Sequence, residues 1–124
     1  MAKPLVVGVD DDPRVRRSIA RLVKAAGYEP KVYPSAESLL ESGILAEAAC
    51  LVSDVRMPGI GGLELRRRVK TAYPNVPVIL ISAHVDEEVR RRALDEGALD
   101  FLYKPFDGEE LLRAIQRAIG RRTL

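Results

Sequence analysis

Short apolar runs ending in polar residues alternate along this chain with longer stretches of helical period, and that alternation constrains the fold more than any other feature. Leu5 to Val9 is unbroken and apolar, Cys50, Leu51 and Val52 lead to Asp54, and Val78 to Ile81 lead to Ser82. Such runs suit strands buried on both faces of a parallel sheet. Leu99 to Tyr103 is a further strand, and Pro30 to Tyr33 a weaker one. Helical spacing fills the gaps between them. Asp12 caps a helix that opens on Pro13, carries Val15, Ile19, Leu22, Val23 and Ala26, and stops at Gly27. Ser35 caps a short helix through Ser42, although Ser38 stands where a capping box wants Glu or Gln. A loop is expected around Gly43. Leu63, Leu65, Val69 and Ala72 mark the next helix, after the Gly59-Ile60-Gly61-Gly62 turn. Asp86 caps a helix with Val89, Ala93 and Leu94 that ends at Gly97, and Asp107 caps a last one with Leu111, Leu112, Ile115 and Ile119, ending at Gly120. Five strands alternating with five helices predict an α/β, doubly wound parallel sheet built through right-handed crossovers. The carboxyl ends of all five strands then share one edge.

A chain of 124 residues suits one domain, long enough to bury roughly two thirds of its unfolded surface. With 47% hydrophobic and 31% charged residues it is not a disordered chain. Aromatics at 5% and a net charge of +2 argue against single-strand stacking and against a dedicated polyanion binder. Arg66-Arg67-Arg68, Arg90-Arg91-Arg92 and Arg121-Arg122 are local basic points. Consecutive helical positions point in different directions, so each run reads as a solvated face and not as a groove-reading patch. No direct nucleic-acid contact is expected. The lone Cys50 opens an apolar run and reads as a small core residue of a cytosolic protein. No stretch approaches the ~20 apolar residues of a membrane span, and the N-terminus does not form a signal peptide, so the expected compartment is the cytoplasm.

The strand ends carry the chemistry. Asp10 and Asp11 follow the first strand, Asp54 the third, Ser82 the fourth and Lys104 the fifth. In open α/β sheets ligands bind outside the carboxyl ends of the strands. Asp12 is explained as a cap, but a cap needs one acid, and crowded carboxylates repel unless a cation lies between them. Mg²⁺ takes one or two carboxylates plus phosphate oxygens and keeps several waters, which fits this set. A metal and the Lys104 ammonium beside Asp54 would neutralise charge on a transferred phosphoryl group and leave the carboxylate as nucleophile.

Val-Asp-Asp at 9–11, Asp-Val-Arg-Met-Pro-Gly at 54–59, Ser82-Ala83 and Lys104-Pro105-Phe106 resemble the receiver domain of two-component response regulators, in order and spacing as well as residue type. The likeness runs from Leu5 to Ile119, extends to the FixJ-like receivers, and makes residues 1–124 one receiver domain. It implies a flavodoxin-like sheet of order 2-1-3-4-5. It also implies that Asp54 accepts phosphate from the phosphohistidine of a sensor histidine kinase. Asp11, Asp54 and the Arg56 carbonyl would hold Mg²⁺, with Asp10 acting on the ion through water. Ser82 and Lys104 would contact phosphoryl oxygens. Phe101 occupies an aromatic switch position, moving inward as Ser82 swings toward phosphate and so altering a surface made by the fourth helix, fifth strand and fifth helix. The same face is the expected site of any homodimer, with Val85, Val89 and Leu102 either contributing to it or belonging to the core. Such a protein is a phosphoacceptor that catalyses its own phosphorylation and slow dephosphorylation, and it controls an output domain or partner. FixJ-like receivers are often joined to a helix-turn-helix output domain, so this chain is expected to be either an excised receiver or a free-standing one.

Three positions depart from the commoner pattern. Phe101 lacks a hydroxyl, so any switch there works by packing. Ile60 stands where Met is frequent, and Gly61 replaces a usually polar residue, predicting a more flexible loop. His84, the sole histidine, reads as a solvated loop residue. Two other classes fit less well. A phosphatase with an aspartyl intermediate would carry a second acid where Arg56 stands, and a flavodoxin-like cofactor binder would not place three acids after its first strand.

Overall fold

In the computed structural model, which describes residues 3–122, the elements run β1 (Leu5–Val9), α1 (Pro13–Ala25), β2 (Glu29–Tyr33), α2 (Ala36–Ser42), β3 (Cys50–Asp54), α3 (Gly62–Ala72), β4 (Val78–Ser82), α4 (Glu87–Asp95), β5 (Asp100–Tyr103) and α5 (Gly108–Arg122). All four strand pairings are parallel and the sheet order is β2-β1-β3-β4-β5. The expected architecture is therefore the one observed. Alternate strand residues face opposite sides of the sheet, which divides the core in two. Val6, Cys50, Val52, Ile79 and Ile81 pack with Ile19 and Val23 of α1 and with Leu111 and Ile115 of α5. On the other side Val7, Val9, Leu51 and Leu80 meet Leu39 of α2, Leu65 and Val69 of α3 and Ala93 of α4. Among the described residues no helix is long and apolar enough to cross a membrane.

Local chemistry accounts for most element ends. The Asp12 carboxylate accepts the Arg14 amide at 2.9 Å, Ser35 Oγ accepts that of Ser38 at 3.1 Å, and Asp86 accepts those of Glu88 and Val89 at 3.1 and 3.2 Å. Each cap satisfies an amide that the first helical turn leaves free. Three boundaries differ from expectation. The loop around Gly43 instead winds a 3-10 turn over Ile44–Glu47 that buries Leu45, since an apolar residue there can still reach the core. Strand β4 extends through Ser82 itself, so this side chain sits in the ladder and not after it, as Asp54 does at the end of β3. Gly120 does not end α5, which continues to Arg122; no positive φ occurs there, and glycine in a helix only weakens it.

The arginine runs are not uniformly solvated. Arg66 is buried beneath the end of α4, its Nη2 3.4 Å from Glu96, whereas Arg67 and Arg68 stay exposed. Consecutive helical residues turn by about 100°, and Arg66 falls on the buried face of α3 that carries Leu65 and Val69. The side chains of Arg121 and Arg122 lie outside the described residues.

Candidate phosphoryl-acceptor site

The carboxyl edge of the sheet brings the predicted acids together. Asp10 follows β1, with its amide donating to the Tyr33 carbonyl at 3.2 Å, and Asp54 closes β3, with the next amide, that of Val55, donating to Ile81 at 2.9 Å. Carboxylate oxygens of Asp10, Asp11 and Asp54 lie within 4.8 Å of one another. Asp10 and Asp54 are buried and Asp11 is exposed, so two walls of this acidic nest are fixed by the sheet and the third faces solvent. Lys104 reaches in from the end of β5. Its Nζ lies 2.8 Å from Asp10 Oδ2 and 3.4 Å from Asp54 Oδ1. Its backbone amide is pinned to the Ser82 carbonyl at 2.8 Å, which fixes the root of the side chain. The Lys104–Pro105 peptide is cis.

Burial raises the Asp54 carboxyl above the ordinary range, the Asp10 charge raises it further, and Lys104 pulls in the other direction. Burial works against the Lys104 ammonium, yet its contacts with Asp10 and then with Asp54 outweigh burial and hold it above the ordinary lysine range. Lys104 is therefore a fixed positive charge and Asp54 a carboxylate short of compensation. One ammonium does not balance three acids. A small, hard, divalent cation fits such an all-oxygen donor set, with open positions left on the exposed Asp11 side.

Ser82 is buried at the same edge, but its hydroxyl donates to the His84 carbonyl at 3.2 Å and accepts the His84 amide at 3.1 Å, closing a tight turn. The His84 side chain is exposed, and only its backbone takes part. Phe101 is already inside, packed edge-on against Tyr103 with ring centroids 5.5 Å apart. The inward swing expected of it thus has no outward starting point here, because a ring without a hydroxyl has nothing to hold it in solvent. The Tyr103 hydroxyl instead donates to Glu87 Oε1 at 3.0 Å, tying β5 to α4. Arg56 lies two residues beyond Asp54 with its side chain exposed.

Residues 6–116 match the model of the response regulator receiver domain. The chain belongs to that family. Receiver domains of two-component response regulators are phosphorylated at an aspartate. Residues of this receiver are 38% identical to the transcriptional regulatory protein FixJ of Azorhizobium caulinodans over 91% of the chain and 54% of that protein. They are 39% identical to nodulation protein W of Bradyrhizobium diazoefficiens over 96% of the chain and 52% of the relative. The chain therefore spans about half the length of these curated relatives. Among solved structures, the receiver FixJ-N superposes with a TM-score of 0.84 at 35% identity, covering 97% of this chain and 96% of that one. A receiver domain from Clostridium thermocellum superposes at 0.89 with 25% identity, covering 97% of each.

Three groups that hold this receiver's edge together escaped the sequence reading. Arg16 of α1 donates from Nη1 to the Asp10 carbonyl at 2.8 Å. The buried hydroxyl of Ser53 donates to the Asp54 carbonyl at 2.9 Å. Glu37 of α2 accepts the Ile60 amide at 2.9 Å, in the loop predicted to be more flexible. Only Ser53 carried a signal, a polar residue inside an otherwise apolar strand.

Proposed function

We propose that Asp54 is the phosphoacceptor of a signalling switch. The observation that carries this reading is the cluster itself: three carboxylates within 4.8 Å of one another, with the ammonium of Lys104 lodged against Asp10 and Asp54. Asp11, Asp54 and the Arg56 carbonyl would hold Mg²⁺, with Asp10 in support, and the donor set of hard oxygens suits that ion. The ion would supply positive charge that screens the incoming phosphoryl group beside Asp54. An Asp54 carboxylate oxygen then attacks phosphorus; the new P–O bond forms as the P–N bond to the imidazole of a sensor kinase's phosphohistidine breaks, and the imidazole departs with the bonding pair. Lys104 pairs with a phosphoryl oxygen as the carboxylate charge is spent. Hydrolysis of the acyl phosphate at the same site resets the switch slowly.

Phosphorylation supplies a new acceptor to which Ser82 can turn, leaving its bonds to the His84 backbone. That move loosens the turn between β4 and α4, and the Phe101–Tyr103 pair, bonded to α4 through Glu87, transmits it to the face of α4, β5 and α5. The altered face controls an output domain or partner, including a second copy of the chain, and the names of FixJ and NtrC among its relatives point to transcription as the output.

Incubation with acetyl phosphate and Mg²⁺, followed by intact mass measurement, tests the proposal. A gain of one phosphoryl group, lost in Asp54→Asn and lost on chelation of the metal, is expected. Phosphorylation that survives Asp54→Asn overturns it.

A further inference from the structure

The turn leading out of β3 is clamped from a second helix. Its base is closed by the Gly62 amide donating to the Val55 carbonyl at 2.8 Å. Among the described residues, one side chain from another element hydrogen-bonds its tip: Glu37 of α2, whose Oε2 accepts the Ile60 amide at 2.9 Å. The next residue back fits against the same oxygen. Gly59 has φ 76°, and a Cβ placed there would lie 2.2 Å from Glu37 Oε2, so the carboxylate fills the volume that a side chain at 59 would need. Donation from Ile60, helped by the amide of Glu37 itself, holds this carboxyl below the ordinary range. Glu37 is in turn rooted firmly. It lies in the first turn of α2, between the Ser35 cap and Leu39, which is fully buried.

We infer that Glu37 is a positioning residue of the phosphoacceptor site, holding residues 56–60 so that the Arg56 carbonyl is presented to the divalent ion. The inference rests on the proposed roles of Asp54 and Arg56. A backbone carbonyl has no side-chain torsion of its own, so its aim is the aim of the peptide chain, and here the chain is held at Val55–Gly62 and at Ile60. Mg²⁺ demands near-ideal octahedral distances, and loss of an outer group that orients a ligand commonly costs 10–100-fold in metal affinity. Glu37 approaches from the side of the sheet opposite to the helix α1 that carries Arg16, so the two loops beside the acids are each held by a side chain from a different layer.

The test is a titration of the whole chain with Mg²⁺ alone, following the Gly59 and Ile60 amide resonances, together with melting in chelator. Glu37→Ala should bind Mg²⁺ roughly 10-fold more weakly. Glu37→Gln keeps an sp² oxygen for the Ile60 amide and should bind within about twofold of the parent. With acetyl phosphate the Mg²⁺ concentration for half-maximal rate should rise in Glu37→Ala while the rate at saturating Mg²⁺ stays the same. Should Glu37→Ala not fold, Glu37→Asp, which retreats by one methylene, takes its place and should also weaken Mg²⁺ binding. Unchanged Mg²⁺ affinity in the Ala or Asp variant, or Glu37→Gln as weak as Glu37→Ala, overturns the inference alone. A parent protein that takes up neither Mg²⁺ nor phosphoryl group brings down the proposed function as well.

Discussion

At Asp54 stability and chemistry pull in opposite directions. Its carboxyl is raised by burial and by Asp10, so in metal-free protein the charged form costs stability at neutral pH. A raised folded-state value means that the cost is absent at low pH, where the group is protonated, and sets in as pH rises through that value. Asp54→Asn in chelator should therefore melt a few degrees higher than the parent at neutral pH, about 1 kcal/mol, with the difference closing as pH falls through the carboxylate range. Mg²⁺ should stabilise the parent more than the variant. A variant that melts lower at neutral pH would show that the carboxylate is not under strain. Gly62 tests the same corner sterically. An added Cβ would lie 2.2 Å from the Asp54 carbonyl and 2.9 Å from Val55 Cα, backbone atoms that cannot swing aside. Gly62→Ala should cost about 1–3 kcal/mol by denaturant unfolding.

Between elements, the less obvious join is that of α3 to α4. Arg66 is buried with its Nε lacking a hydrogen-bond partner, and Glu96 at the end of α4 meets both Arg66 and Arg67, at 3.4 and 3.0 Å. Arg67 remains half exposed, so its own pair with Glu96 is screened. A buried charge is costly chiefly when its partner is removed. Glu96→Ala should lower stability, whereas Arg66→Met, which keeps the apolar stem and removes the charge, should change it by less than about 1 kcal/mol. In the Arg66→Met background Glu96→Ala should do less harm, a coupling that a double-mutant cycle measures directly. Equal losses in both backgrounds would remove Arg66 from the join. At the other end of α4, Asp86→Ala should cost about 1 kcal/mol by removing the cap.

Across the whole molecule, one sheet serves two cores, and β5 carries the side chains that separate packing from assembly. Phe101 and Leu102 are both buried, at 4% and 6% exposure, so Leu102 belongs to the core and not to a dimer face; Val85, at 79%, is free at the surface. Phe101→Ala should cost about 3–5 kcal/mol. Val85→Asp should leave the melting temperature unchanged. If the face of α4, β5 and α5 pairs on phosphorylation, sedimentation of the acetyl phosphate-treated protein should show a dimer that Val85→Asp weakens. A dimer indifferent to Val85 would move the contact elsewhere.

The order of the elements, their caps and the acids at the strand ends were legible in the sequence, because each depends on neighbours a few positions away. Asp10, Asp11, Asp54, Ser82 and Lys104 announce themselves as polar residues closing apolar runs, and parallel crossovers oblige those ends to share one edge. The side chains that reach across the fold were not legible. Arg16 reaches back 6 residues to Asp10, Glu37 reaches 23 residues ahead to Ile60, and Arg66 reaches 30 ahead to Glu96. Nothing in local spacing distinguishes these three from solvated charges on amphipathic helices; Gly61 read as slack in a loop that Glu37 in fact holds. Nor did spacing tell that Phe101 starts inside. Sequence by itself determined the set of elements and the chemistry at their ends, since periodicity and capping act within a turn or two of chain. Tertiary structure alone decided which charged side chains turn inward to fix that chemistry in place, since only close packing of distant segments makes an inward charge cheaper than a solvated one.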